Sequence, residues 1–184
     1  MPVHLPLFKQ LWRSTLTGSP RLFLNALAVK EKQRKCIELS FKRKDILGLL
    51  LTGFRKSLIH QLFPSIFETM NGKGVHVLVS ALKAILNEQF EERNDLGISS
   101  AEVGIFTSEQ EVVKIFCGEY SMIFGSAEML LEKEWLEKFK KSKLVGSVEL
   151  LVVDEARYLR LGENLFRIDF VRLDRWFSCH YIEF

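Results

Sequence analysis

The sequence predicts an α/β fold: a mostly parallel β-sheet with helices on both faces. Three observations carry that prediction. Apolar runs of five to seven residues alternate with amphipathic stretches of ten to fifteen, the order of repeated strand–helix–strand units. The apolar runs are continuous rather than alternating, as strands covered on both faces require. The chain has 184 residues, 47% hydrophobic and 27% charged. That suits one globular domain and excludes a disordered chain, a collagen-like repeat and a disulfide miniprotein. No apolar run reaches the roughly 18 residues that would span a bilayer.

The elements follow in order. Residues 1–25 are irregular, broken by Pro2, Pro6, Gly18 and Pro20. Residues 1–30 hold no acid but carry Lys9, Arg13, Arg21 and Lys30, which suits a basic N-terminal arm or an organelle transit peptide. One domain is expected over 26–184. Residues 27–40 form a helix with a basic outer face. Asp45 to Leu51 reads as a short buried strand. The spacing of Leu58, Ile59, Leu62, Ile66 and Met70 predicts a helix over 56–70. Residues 71–74 turn the chain into a strand over 75–79. A helix over 82–95 is stopped at Leu96-Gly97. A strand over 101–106 precedes a helix over 108–117, with Ser108 as cap and Glu111 three residues on. A strand over 120–124, a Glu- and Lys-rich helix over 127–141 and a strand over 148–153 complete the series. The last strand ends in Asp154-Glu155.

Bulk charge is uninformative. Lys and Arg number 26 against 23 Asp and Glu, a net +3, so any case for nucleic acid rests on local motifs. Cys36, Cys117 and Cys179 form no CxxC pair and read as reduced, small buried residues of a cytosolic or nuclear protein. His60 and His76 read as structural residues, and Phe63, Phe67 and Phe90 as core.

Two strand ends carry chemistry. In open parallel sheets, ligands bind beyond the carboxyl ends of the strands. The first strand runs through Thr52-Gly53-Phe54-Arg55-Lys56-Ser57 into a helix, the layout of a phosphate-binding loop. Backbone N–H groups and the helix N-terminus attract phosphates, Lys56 adds a point charge and the Ser57 hydroxyl suits Mg²⁺. At the last strand's end, Asp154 can hold Mg²⁺ and Glu155 can poise an attacking water. Taken alone, the first segment reads sooner as an ordinary loop and helix start, and the second sooner as a core strand tipped by solvated acids. In this chain order they point to a nucleotide site.

With these residues in view, the chain resembles the N-terminal motor domain of RecQ-type DNA helicases, in the DEAD/DEAH group of superfamily 2. The likeness covers roughly residues 30 to 172 and rests on ordered segments. Lys32-Gln33 with Cys36-Ile37 is similar to the family's adenine-reading segment. DILGLLLTGFRKSLIHQ (45–61) resembles D-V-L-x-x-x-P-T-G-x-G-K-S-L-x-x-Q. VSALKAILNEQ (79–89) resembles V-S-P-L-x-x-L-M-x-D-Q, and FGSAEMLL (124–131) the S-P-E-x-L stretch. LVVDEAR (151–157) resembles V-D-E-A-H. Gly162-Glu163-Asn164, Phe166-Arg167 and Asp169-Phe170 resemble the end of an aromatic-rich loop.

The resemblance implies a RecA-like P-loop NTPase domain that uses ATP and Mg²⁺, binds single-stranded or forked DNA, and couples hydrolysis to 3′-to-5′ unwinding. It implies DNA repair and recombination in the nucleus, with the cytoplasm as the alternative. Gln33 would read adenine. Thr52, Gly53, Phe54, Arg55, Lys56 and Ser57 would hold the triphosphate. Ser57 and Asp154 would ligate Mg²⁺, and Glu155 would act as general base beside Lys56. Ser80, Lys83, Gln89 and Arg167 would lie along DNA. Solvated helix positions remain the plain alternative for Gln33, Ser80, Lys83 and Gln89.

The pattern is also broken. Arg55 replaces the second loop glycine, Leu51 the loop proline and Arg157 the histidine after Asp-Glu-Ala. The aromatic-rich loop lacks its tryptophan, with Leu161 near that place. After residue 172 only a dozen residues follow, so no second motor domain is expected and this chain alone is not expected to unwind DNA. The departures leave open a degenerate, non-catalytic domain that binds nucleic acid or a protein. An unrelated P-loop kinase would keep the glycine before Lys56 and lack the Val-Asp-Glu-Ala ending.

Overall fold

The computed structural model describes residues 29–51, 53–80, 90, 92, 96–142, 144–154 and 180–184. Its elements are α1 (Glu31–Phe41), β1 (Ile46–Leu47), α2 (Ser57–Asn71), β2 (Val75–Ser80), β3 (Ser100–Val103), α3 (Glu109–Phe116), β4 (Met122–Gly125), α4 (Ala127–Leu131), α5 (Lys133–Lys141), β5 (Val148–Asp154) and β6 (His180–Glu183). One six-stranded sheet runs in the order β1-β6-β5-β2-β4-β3. Every paired strand is parallel to its neighbour.

Strand residues alternate between two cores. Leu78, Leu150 and Val152 face a core with Ile37 of α1 and Leu58, Ile59, Leu62, Phe63 and Ile66 of α2. Val77, Val79 and Leu151 face the other, with Ile115 of α3, Leu130 of α4 and Trp135 and Phe139 of α5. Because both faces are covered, the central strands read as unbroken apolar runs. Burying each of these larger side chains stabilises the fold by about 1.5–3 kcal/mol. The expected aromatic stripe is core: Phe63 and Phe67 are buried, their rings 5.8 Å apart, and Phe90 packs against the same cluster. His76 is buried between them, its ring 5.1 Å from Phe63 and 5.4 Å from Phe67, while Nδ1 lies 3.0 Å from the Ser121 carbonyl. His60 is equally buried.

Several expectations change. The strand over 45–51 shrinks to Ile46–Leu47 because β1 lies at the sheet edge, paired only with β6. Leu49 and Leu51 beyond it are exposed. The strand over 101–106 ends at Val103, where a tight turn takes over. There Thr107 N–H donates to the Gly104 carbonyl, and Gly104 N–H donates to Thr107 Oγ1. The helix over 127–141 is two helices, split where Glu132 adopts φ −55°, ψ 137°. The helices that directly follow β3 and β4 each have a hydroxyl cap: Ser108 accepts from Glu111 N–H and Ser126 from Met129 N–H. Strand β6 has no counterpart in the sequence reading. Cys36 is buried, but Cys117 is exposed at the end of α3, contrary to the expectation of three buried thiols. Cys179, the arm at 1–25 and most of the helix over 82–95 lie outside the described residues, although Phe90 and Glu92 are helical.

Helix α1 ends on a Schellman-type reversal. Arg43 N–H donates to Ser40 and Lys44 N–H to Leu39, with Arg43 at φ 52° in the place glycine usually takes.

Candidate nucleotide-binding site

Parallel strands bring their carboxyl ends to one edge of the sheet. Leu47 pairs with Glu183, and Glu183 with Val153, so the ends of β1, β6 and β5 lie in one row. The loop 48–56 leaves this row and enters α2. Asp154 stands one residue beyond it on β5, two strand spacings away, about 10 Å. Both halves of the anticipated site therefore occupy the same edge. Asp154 is 6% exposed and pairs in register with Ser80, which is fully buried.

The loop has a defined backbone. Phe54 N–H donates to the Leu51 carbonyl, closing a turn at 3.1 Å. Gly53 takes φ 80° and Arg55 φ 53°, and Lys56 is right-handed at φ −55°, ψ −39°. A left-handed residue followed by a right-handed one aligns successive N–H groups into an anion-binding concavity. Arg55 thus adopts the conformation for which the resembled pattern keeps glycine, at a cost of about 1–2 kcal/mol for an L residue. The concavity leads into α2, whose first turn contains no acid, so its N-terminal partial positive charge is not neutralised there. Lys56 and Ser57 are half-buried. Behind them, Leu58, Ile59 and Leu62 anchor α2 in the core. Pro64 sits in the same helix; it lacks an N–H for the His60 carbonyl, yet its ring is buried with its neighbours.

Gln33 is 1% exposed in α1. Its amide donates to the Phe54 carbonyl at 2.8 Å and the Arg55 carbonyl at 3.0 Å, and its Oε1 accepts from Lys30 N–H at 2.7 Å. Lys30 Nζ lies 4.4 Å from the centre of the Phe54 ring, a cation–π contact that adds to the same joint. In this conformation both Gln33 donors are engaged by the loop. Nothing local in the sequence signals this contact, which spans 21 residues.

The remaining assignments divide plainly. Gly53, Phe54, Arg55, Lys56 and Ser57 are together on the loop, and Asp154 shares their edge. Ser80 lies beside Asp154 and has no exposed surface for a DNA strand. Thr52, Lys83, Gln89, Glu155, Arg157 and Arg167 lie outside the described residues. For a metal, the Ser57 hydroxyl and Asp154 carboxylate are hard oxygen donors, a set suited to Mg²⁺ held jointly by protein and phosphate. Among the described residues, no cluster of three or more His, Cys, Asp or Glu could hold a metal alone, and no helix is long and apolar enough to cross a membrane.

Comparison with known proteins identifies the family and the fold. Residues 30–168 match the DEAD/DEAH box helicase family. The chain is 27% identical over 145 residues to a putative ATP-dependent DNA helicase Q1 of Caenorhabditis elegans, covering 75% of this chain and 22% of that protein. It is 24% identical over 154 residues to the ATP-dependent DNA helicase RecQ of Pasteurella multocida, covering 82% and 23%. It also matches the probable ATP-dependent DNA helicase RecS of Bacillus subtilis, 26% identical over 82% of this chain and 29% of that one. The chain thus spans less than a third of the length of these curated relatives. Among solved structures, the DUF1998 helicase MrfA bound to DNA superposes with a TM-score of 0.71 at 16% identity, over 95% of this chain and 26% of that one. The UvsW helicase of bacteriophage T4 gives 0.58 at 14% identity, over 84% and 51%. These structural likenesses establish the RecA-like helicase fold.

Proposed function

The chain belongs to the DEAD/DEAH box helicase family, and from that premise we propose that it is the ATP-binding motor domain of a RecQ-like DNA helicase. The observation that carries the proposal is the Arg55–Lys56 concavity at the start of α2, on the same sheet edge as Asp154. Loop N–H groups and Lys56 hold the β- and γ-phosphates, and Ser57 and Asp154 hold Mg²⁺. When bound, the ion neutralises phosphate charge. By the resemblance, Glu155 orients the attacking water, while Lys83, Gln89 and Arg167 follow single-stranded or forked DNA. Ser80, buried and in register with Asp154, supports that carboxylate in this reading instead of lining DNA. Location with DNA in the nucleus follows from this reading, with the cytoplasm as the alternative.

The strained Arg55 favours a second feature of the same proposal: this chain binds nucleotide and nucleic acid but turns ATP over slowly. The test is equilibrium binding of a fluorescent, non-hydrolysable ATP analogue with and without Mg²⁺. Saturable, Mg²⁺-dependent binding that Lys56→Ala weakens at least tenfold is expected. Absence of saturable binding, or an unchanged affinity in Lys56→Ala, overturns the reading. The competing account, a binding module without a nucleotide site, is favoured if DNA is bound and the analogue is not.

A further inference from the structure

We infer that Gln33 is a positioning residue that sets the peptide planes of the phosphate loop, and that it does so without contacting the base. The inference rests on the nucleotide-site reading above and deepens it. The side chain is 1% exposed, so it has almost no surface to offer a ligand. Both amide protons are directed at consecutive loop carbonyls, Phe54 and Arg55, and the amide oxygen takes the Lys30 N–H. These contacts use both donors of the primary amide.

Peptide planarity gives the contact its consequence. In a trans peptide, the carbonyl and the following N–H point in opposite directions, and no peptide bond among those described is cis. Drawing the Phe54 and Arg55 carbonyls toward Gln33 therefore turns the Arg55 and Lys56 N–H groups away from it, toward the open side of the loop. These are the two amides of the concavity formed by left-handed Arg55 and right-handed Lys56. At Arg55, where an L residue resists φ 53°, the contact holds the loop against its own conformational preference. Glycine would adopt that geometry unaided, so Arg55 increases the dependence on Gln33.

The role predicts indifference to the base. Contacts made to the loop act on the phosphates, which ATP and GTP share. A base reader, by contrast, distinguishes the two rings through its amide hydrogen bonds.

The test uses Gln33→Met, which keeps the volume and removes the donors, alongside Gln33→Ala. Binding of non-hydrolysable ATP and GTP analogues is measured with each protein, together with amide hydrogen exchange. Both analogues should weaken by a common factor of about tenfold, the effect of losing two neutral hydrogen bonds, with the ATP-to-GTP ratio unchanged. The Phe54, Leu58 and Ile59 amides, bonded to Leu51, Arg55 and Lys56, should exchange faster, while those of β2 keep their protection. A general loss of stability would accelerate all of them. If ATP weakens and GTP does not, Gln33 reads the base and the inference is overturned. It is also overturned if loop exchange is unaltered in Gln33→Met. If the unsubstituted protein binds neither analogue, the nucleotide-site reading fails, while the exchange arm still decides whether Gln33 holds the loop.

Discussion

Replacing Arg55 with glycine removes a conformational cost visible in the backbone. Arg55 sits at φ 53° and is exposed, so little packing is lost with its side chain. Relief of the left-handed conformation contributes about 1–2 kcal/mol. Glycine's greater freedom in the unfolded chain takes back about 0.4–1 kcal/mol. The net expectation is a gain of about 0.5–1 kcal/mol, a rise of roughly 1–4 °C in Tm for a domain of this size. Arg55→Ala is the control: it removes the guanidinium but keeps the strain, and should leave stability within about 0.5 kcal/mol of the parent. Urea denaturation of the three proteins measures the differences, with an unchanged m-value guarding against altered compactness. A lower midpoint for Arg55→Gly, or an equal gain for Arg55→Ala, would refute the claim that φ at residue 55 is the cost.

Further predictions concern groups away from the loop. Cys117, exposed, should react with an alkylating reagent in the folded protein, while Cys36, whose thiol burial pushes above its ordinary pKa, should react only on unfolding; mass spectrometry of the modified peptides distinguishes them. Tyr120 donates a hydrogen bond to Glu111, which with the nearby acidic charge raises its phenol to about 12 from 10.0. The contribution to stability is complete below pH 10 and disappears as pH rises through 12, so Tyr120→Phe should abolish that segment of the pH–stability curve. A methyl group at Gly125 would stand 2.8 Å from Leu130 Cγ; Gly125→Ala should cost about 1–3 kcal/mol in thermal denaturation, and a neutral result would mean that α4 shifts freely.

Much of this architecture was legible in the sequence because it depends on patterns shorter than a single element. The apolar runs at 75–79 and 148–153 are buried central strands. The Ser108 cap is where its spacing places it, and loop and acid end on one edge because parallel strands force that arrangement. What was hidden depends on distant neighbours. The edge position of β1 is set by β6, whose paired residues lie 136 positions further along the chain (Ile46 with Ile182) and carry no strong strand signal. Glu132 lies inside a helical pattern and nothing in its identity marks the break. Gln33 illustrates the limit most clearly: its type suggests an exposed hydrogen-bonding role, and only its burial beneath the Phe54 and Arg55 carbonyls reveals where those bonds go.

The central claim, that the loop before α2 and the end of β5 serve one bound nucleotide, is tested most directly by a double-mutant cycle. Affinity for the Mg²⁺ complex of a non-hydrolysable ATP analogue is measured in the parent, Lys56→Ala, Asp154→Asn and the double variant. Groups that meet on one triphosphate should be coupled, with the two losses falling short of additivity or exceeding it by at least about 0.5 kcal/mol. Strict additivity, or an Asp154→Asn protein that binds as tightly as the parent, would contradict it.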